Sequence, residues 1–235
     1  MASRRRSSSE RGLLGGQFAD RWPVWLLLGG ALPGFVFAAL AYHATRPETR
    51  QSLGWDLVLV RDVHDLGALQ PLDDLALSLV DLGGLVDRSV LLALLAAVLL
   101  LLAWRRTLHA VFGGVILAGV LLNPLLQQAF ERSPPSQTPG NYAFPSGLAF
   151  AAAACFGWLT IACWHSVWRW PLFVLGSATS LMIALQAVFS GEHWPSDVVA
   201  GWCLAALALT LAHLVRRQLV GGRQSGPPRP RFSDR

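Results

Sequence analysis

Lysine is absent from this chain of 235 residues, so all 19 basic residues are arginine. Charged residues are also scarce, at 14%, where an average soluble domain has about 25%. Apolar residues make up 53% of the chain, which argues against both an ordinary soluble globular protein and a disordered one. The net charge of +5 does not indicate nucleic-acid binding, because the arginines lie at the chain ends and between apolar runs. This distribution is typical of a protein at a membrane surface.

Cysteine is rare too, with three residues, Cys155, Cys163 and Cys203, all inside apolar runs. Thiols in such surroundings are typical of buried small side chains. The sequence therefore predicts neither a disulfide framework nor a metal site at these positions.

Long apolar runs dominate the rest of the chain. Since a membrane-spanning helix needs about 20 mostly apolar residues, we count six candidates, at approximately residues 22–42, 89–104, 107–130, 144–164, 170–189 and 196–215. Frequent glycine and alanine in these runs would let membrane helices approach closely. We predict an all-α fold, an integral membrane bundle of six transmembrane helices over residues 21–217. Disordered polar tails are predicted at 1–20 and 218–235.

The segment between the first two spans has its own pattern. Apolar residues over 56–61 and 72–80 recur at mixed spacings of three and four. This pattern predicts one or two amphipathic helices lying at the membrane interface.

The arginines predict the orientation of the bundle. With six spans both termini lie on one side, and that side carries most of the arginines. By the positive-inside rule the termini are cytoplasmic. Loops 43–88, 131–143 and 190–195 then face outward across the plasma membrane. The arginines predicted outside are Arg46, Arg50, Arg61, Arg88 and Arg132.

His193 and Asp197 are four residues apart at the start of the last span. On one turn of helix, Asp197 can accept a hydrogen bond from one ring nitrogen of His193. The other nitrogen is then available as a nucleophile or base. An ordinary helix start, with Pro195 early and Ser196 or Asp197 as a cap, is the alternative interpretation.

Two further motifs lie at predicted outward ends of spans. Pro145-Ser146-Gly147 begins the fourth span, where a helix N-terminus, the Ser146 hydroxyl and the small Gly147 could receive a phosphate. An ordinary helix start is again the alternative. Arg132 follows the third span and could hold an anion, pair with Glu131 or contact lipid headgroups.

Together and in this order, the three motifs resemble the type 2 phosphatidic acid phosphatase / haloperoxidase superfamily. Residues 191–201 resemble its third motif, Ser-Arg-x5-His-x3-Asp, and Pro145-Ser146-Gly147 resembles the start of its second motif, Pro-Ser-Gly-His. The resemblance implies metal-free and cofactor-free dephosphorylation of a lipid phosphate or polyprenyl diphosphate through a phosphohistidine. It implies catalytic roles for His193 and Asp197, phosphate binding by Arg132, Ser146 and Gly147, and membrane lipids as partners.

Several family positions are altered. Leu148 replaces the acid histidine, and Gln186 and Ala187 replace the Ser-Arg pair. In the first motif, Lys-x6-Arg-Pro, one register puts Gln127 and Pro134 at the cationic positions, and a register shifted by two restores Arg132 but not the lysine. We therefore expect impaired phosphatase activity. The alternative is a non-catalytic relative that binds a lipid headgroup or a protein partner, and a small transporter is a weaker interpretation because the spans carry little charge.

Overall fold

The computed structural model describes residues 26–46, 52–67, 107–136, 141–164 and 166–221. All regular structure in these ranges is helical, which confirms the predicted all-α fold. The helices are α1 (Leu27–Thr45, with a π-helical first turn at Leu27–Ala31), α2 (Gly54–Gly67), α3 (Thr107–Phe130), α4 (Gly147–Ala162), α5 (Arg169–Phe189) and α6 (Pro195–Gly221).

Four of these helices, α1, α3, α5 and α6, are long and apolar enough to cross a membrane, and α4 is a shorter apolar helix. They coincide with five of the six predicted spans. Three predicted features lie outside the described residues: the remaining span at 89–104, the amphipathic segment at 72–80 and most of both tails. The count of six spans therefore stays a prediction. A helix is present at the other predicted interfacial segment, as α2, and α6 continues to Gly221, beyond the predicted domain end at residue 217.

Helix α4 lies at the centre of the bundle. It is apolar on every side and has alanines at 151–154, and a helix without a polar face is buried by its neighbours. Phe150 and Trp158 of α4 pack with Phe112 of α3 and Ala205 of α6 in one buried cluster. Ala149 of α4 packs with Val188 of α5 in a second cluster. This central position fixes the start of α4 relative to the surrounding helix ends.

The chain direction brings several helix ends to the same end of the bundle. Helix α5 ends there and α6 begins, because the connection between them is short. Helix α3 ends and α4 begins at the same end, because the longer segment between them folds back, with the backbone N of Ala143 donating to the carbonyl of Arg132 at 2.8 Å. The end of α1 joins them, since Ala44 packs with Phe144 and Ala200. We call this the polar end, because Arg132, Ser146, Ser196 and Asp197 are buried in it.

Candidate functional site

A buried ion cluster at the polar end is centred on Arg132, which is only 1% exposed. Its Nη1 donates to Oδ1 of Asp197 at 2.5 Å and to Oγ of Ser196 at 2.7 Å. Its Nη2 donates to Oδ2 of Asp56 at 2.8 Å. Both aspartates are fully buried, at 0% exposure. The single guanidinium therefore pairs with two carboxylates that are both buried.

Each carboxylate also closes the first turn of a helix. Oδ2 of Asp56 accepts from the backbone N of Leu53 at 2.9 Å, and Oδ2 of Asp197 accepts from the backbone N of Trp194 at 2.8 Å. In both cases the acceptor lies three residues after the donor, as in half of a capping box. An acidic side chain in the first turn is also favoured by the helix dipole. Arg132 thus links the N-termini of α2 and α6 to the end of α3.

Ser196 completes the link between α2 and α6. Its backbone N donates to Oδ1 of Asp56 at 2.9 Å, and its hydroxyl donates to Oδ2 of the same residue at 2.7 Å. Asp56 therefore receives hydrogen bonds from three separate segments. The start of α2 is held against the start of α6 by polar contacts between buried groups.

The orientation of His193 is set by a backbone carbonyl. Nδ1 of His193 lies 2.7 Å from the oxygen of Ala143. Since a carbonyl can only accept, Nδ1 carries the proton, and Nε2 is the unprotonated nitrogen of the neutral ring. We predicted Asp197 as the partner of His193, but its Oδ2 lies 3.9 Å from Nδ1, which is within reach of a small movement but too long for a hydrogen bond.

Ser146 and Gly147 begin α4 directly beside the His193 segment. Ser146 is the N-cap, its Oγ accepts from the backbone N of Ala149 at 3.4 Å, and it is fully buried. Its own backbone N donates to the carbonyl of Asp197 at 3.1 Å. Gly147 faces α3, where an added Cβ would lie 2.5 Å from Nδ2 of Asn123. Gly147 therefore has a packing reason as well as the predicted contact with phosphate.

The predicted site residues thus come together at the polar end but differ in how far their side chains are exposed to solvent. Side chains of Arg132 and Asp197 are exposed by 2% and 0%, whereas that of His193 is exposed by 14%. Among Arg132, Ser146, His193 and Asp197, the histidine is the member that reaches the surface.

The residues at two of the altered family positions make contacts that hold the fold together. Nε2 of Gln127 donates to the carbonyl of Pro145 at 3.2 Å and so holds the segment before α4. Ala187 is 3% exposed, and its carbonyl accepts from the backbone N of both Glu192 and His193 at 3.1 Å. Between residues 125 and 201 the sequence has only two basic residues, Arg132 and Arg169, and Arg169 begins α5 at the opposite end of the bundle.

Sequence reasoning missed Asp56 and Ala143. Asp56 lies in the predicted amphipathic segment, and its position in the first turn of α2 is a capping signal that the sequence does contain. Its pairing with Arg132, 76 residues away, has no local signal. The carbonyl of Ala143 belongs to the backbone, so no residue type could have identified it.

Comparisons with known proteins agree with the motif resemblance. The model of the PAP2 superfamily matches residues 125–220, which contain the end of α3 and helices α4 to α6. An undecaprenyl-diphosphatase of Sulfolobus acidocaldarius is 34% identical over 68 residues, which are 29% of this chain and 31% of that protein. The match thus spans about a third of the length of this curated relative.

A solved structure covers more of the chain. The crystal structure of a transmembrane PAP2 type phosphatidylglycerolphosphate phosphatase from Bacillus subtilis matches with a TM-score of 0.60, at 17% sequence identity. The superposition covers 86% of this chain and 98% of that chain. At this identity the likeness shows the fold alone. The predicted resemblance to the superfamily is confirmed, and the chain is an integral membrane protein with a transmembrane PAP2 fold.

Proposed function

We propose that this integral membrane protein of the PAP2 fold acts on a lipid diphosphate through His193, slowly, and acts far more slowly on phosphomonoesters. The observation that carries the proposal is that His193 is partly exposed, while the positive charge of Arg132 is already compensated by buried carboxylates. His193 keeps the geometry of a nucleophile, with Nδ1 bonded to the carbonyl of Ala143. Arg132 is already bonded to Asp56, Ser196 and Asp197.

The reaction begins with attack of Nε2 of His193 on the terminal phosphorus. The N–P bond forms as the P–O bond to the lipid monophosphate breaks, and the electron pair leaves with that oxygen. Water then cleaves the N–P bond, which releases inorganic phosphate and restores the neutral ring. The first turn of α4 provides backbone N–H groups and a positive dipole end for the phosphate oxygens.

The preference for diphosphates follows from the missing acid. Leu148 cannot donate a proton, and a positioned general acid contributes about 10²–10⁴ in rate. One electrostatic donor to the developing charge contributes about 10²–10³. A lipid monophosphate is a weaker base than an alkoxide and needs less protonation as it leaves. The loss of the acid therefore slows diphosphate cleavage less than phosphomonoester cleavage.

The site is proposed to face outward across the plasma membrane, with both termini in the cytoplasm. The arginine distribution supports this orientation through the positive-inside rule. The substrate would then be a lipid whose diphosphate group lies at the outer interface.

A second candidate is a non-catalytic protein that binds a lipid headgroup at the same end. The ion pairs of Arg132 favour it, because a phosphate must compete with two buried carboxylates for the guanidinium. In this case the cluster maintains the fold, and the start of α4 with His193 binds the headgroup without bond cleavage.

Phosphate release by the purified full chain tests the proposal. We expect slow release from undecaprenyl diphosphate, far less from phosphatidic acid, and no release by His193→Ala. The control is His213→Ala, which changes an exposed histidine near the other end of α6 and should behave as wild type. Robust hydrolysis of phosphatidic acid that depends on His193 would contradict the impairment. No hydrolysis, with diphosphate binding that His193→Ala weakens, would favour the second candidate.

A further inference from the structure

A groove runs along the seam between α4 and α5, in the half of the bundle away from His193. Its volume is about 490 Å³, which lies within the range of about 300–1,000 Å³ typical of small-molecule sites. The rise along α5 from Phe173 to Leu181, eight residues further on, is about 12 Å. The lining includes Phe156, Thr160 and Trp164 on one side and Phe173, Ser177 and Leu181 on the other.

The groove presents an almost entirely apolar surface. The hydroxyl of Thr160 donates to the carbonyl of Phe156 at 2.9 Å, and Oγ of Ser180 accepts from Nε1 of Trp202 at 2.8 Å. These lining hydroxyls are therefore satisfied within the protein. The rim is open, because Phe173 and Leu181 are each 53% exposed. In a helix long and apolar enough to span a membrane, such a groove faces hydrocarbon chains.

A cation lies at one end of the groove. Arg169 is one helical turn before Phe173, and its guanidinium carbon is 6.0 Å from the ring centre of Trp164 and 5.4 Å from that of Trp170. Trp164 itself lines the groove. Tryptophan and arginine at a helix end are typical of the membrane interface. An arginine there also attracts anionic headgroups.

We propose that the α4–α5 groove binds one anionic phospholipid, with an acyl chain along the groove and its phosphate at Arg169. The charge at the end of the groove selects this occupant, because an uncharged helix from another chain would leave Arg169 without a counterpart. The site is separate from the His193 site, and its occupation does not depend on the proposed function.

Lipid retention by the full chain tests the proposal. The protein is reconstituted in mixed bilayers of phosphatidylglycerol and phosphatidylcholine, extracted in mild detergent and analysed for retained lipid by mass spectrometry. Wild type should retain phosphatidylglycerol preferentially. Arg169→Gln should reduce that preference about fivefold, the effect of one arginine near an anionic surface. Ser177→Phe, which fills the groove, should reduce the retention of both lipids.

Two matched variants control for general effects. Arg217→Gln removes an exposed arginine near the same end of the bundle, and Ala178→Phe adds a ring on α5 outside the groove lining. Both should retain lipid as wild type does. Equal retention by all variants would overturn the proposal, and so would equal losses in variants and controls. A change of oligomeric state by Ser177→Phe without loss of lipid would overturn it in favour of a second copy of the chain in the groove.

Discussion

Arg132 shows how one side chain can hold three helix ends, through hydrogen bonds to Asp56, Ser196 and Asp197. Its two carboxylate partners are buried, so each ion pair acts in a medium that screens charge poorly. Removal of one member of a buried ion pair is costly because the remaining charge stays uncompensated. The residue that the motifs predicted as a phosphate ligand thus has a structural role in the fold.

Replacement of Arg132 by an uncharged side chain should strongly destabilise the protein. For Arg132→Met we expect a loss of about 3–5 kcal/mol, the typical cost of breaking a buried pair, because Asp56 and Asp197 would remain buried without a cation. Arg132→Lys keeps the charge but not the forked geometry and should lose less. Thermal unfolding in detergent measures both. A wild-type melting temperature for Arg132→Met would contradict the structural role.

Leu148 is the second residue that matters to the proposed function, because it occupies the position of the acid histidine in the family motif. Leu148→His alone should raise diphosphate hydrolysis modestly, because a proton donor is of little use without a well-held phosphate. The combination with Gln127→Lys, Pro134→Arg and Ala187→Arg should raise it by more than the product of the single effects. Phosphate release measures the rates.

Melting temperatures are the control for this series, because Ala187 and Pro134 are buried and arginine is large. If the variants are folded and the combined variant raises the rate only by the product of the single effects, the four positions do not act as a unit. A large gain from Leu148→His alone would show that the phosphate is already well held.

At the scale of helices, the geometry of the site depends on how closely α4 and α6 approach. Gly201 of α6 lies against the start of α4, where an added Cβ would be 2.5 Å from the carbonyl oxygen of Ser146 and 3.1 Å from the backbone N of Phe150. Backbone atoms cannot turn aside as a flexible side chain can. Absence of a side chain at Gly201 is therefore a condition for the contact between Ser146 and Asp197.

Gly201→Ala should separate the two helices and disturb the polar end. We expect a loss of about 1–3 kcal/mol, the usual cost of overpacking, together with weaker diphosphate hydrolysis or binding. The matched control is Gly114→Ala in α3, where an added Cβ meets no atom of the described residues within 4 Å. Unfolding and phosphate release are measured on both variants. Equal behaviour of the two would refute the close approach as a requirement.

For the whole molecule, the arginine asymmetry predicts how the bundle crosses the membrane. A cysteine at Gln137 should react with an impermeant thiol reagent from outside, and a cysteine at Ser225 should react only after the membrane is permeabilised. The three native cysteines, Cys155, Cys163 and Cys203, are first replaced by alanine, and this cysteine-free chain is the control. The reverse labelling pattern would place the His193 site on the cytoplasmic side.

Apolar length by itself determined approximately where the five apolar helices, α1 and α3 to α6, lie. The predicted span at 107–130 coincides with α3, and that at 170–189 begins one residue after the start of α5. The predicted span at 196–215 is shorter than α6, which continues to Gly221, because Arg216 and Arg217 end the apolar run without ending the helix. Spacing of the motifs also sufficed to predict the superfamily resemblance. These are local properties, since each depends on residues that are neighbours in the chain.

Only the tertiary structure decided what the polar residues do. The sequence offered Asp197 as the partner of His193, yet the ring nitrogen lies against the carbonyl of Ala143, 50 residues away. It offered Arg132 as an anion ligand, yet the folded chain brings Asp56 to it from 76 residues away. Charged groups and hydrogen-bond donors and acceptors pair with the groups that the fold brings near them. A buried cation is neutralised by its nearest partners in space, and its position in the chain does not identify them.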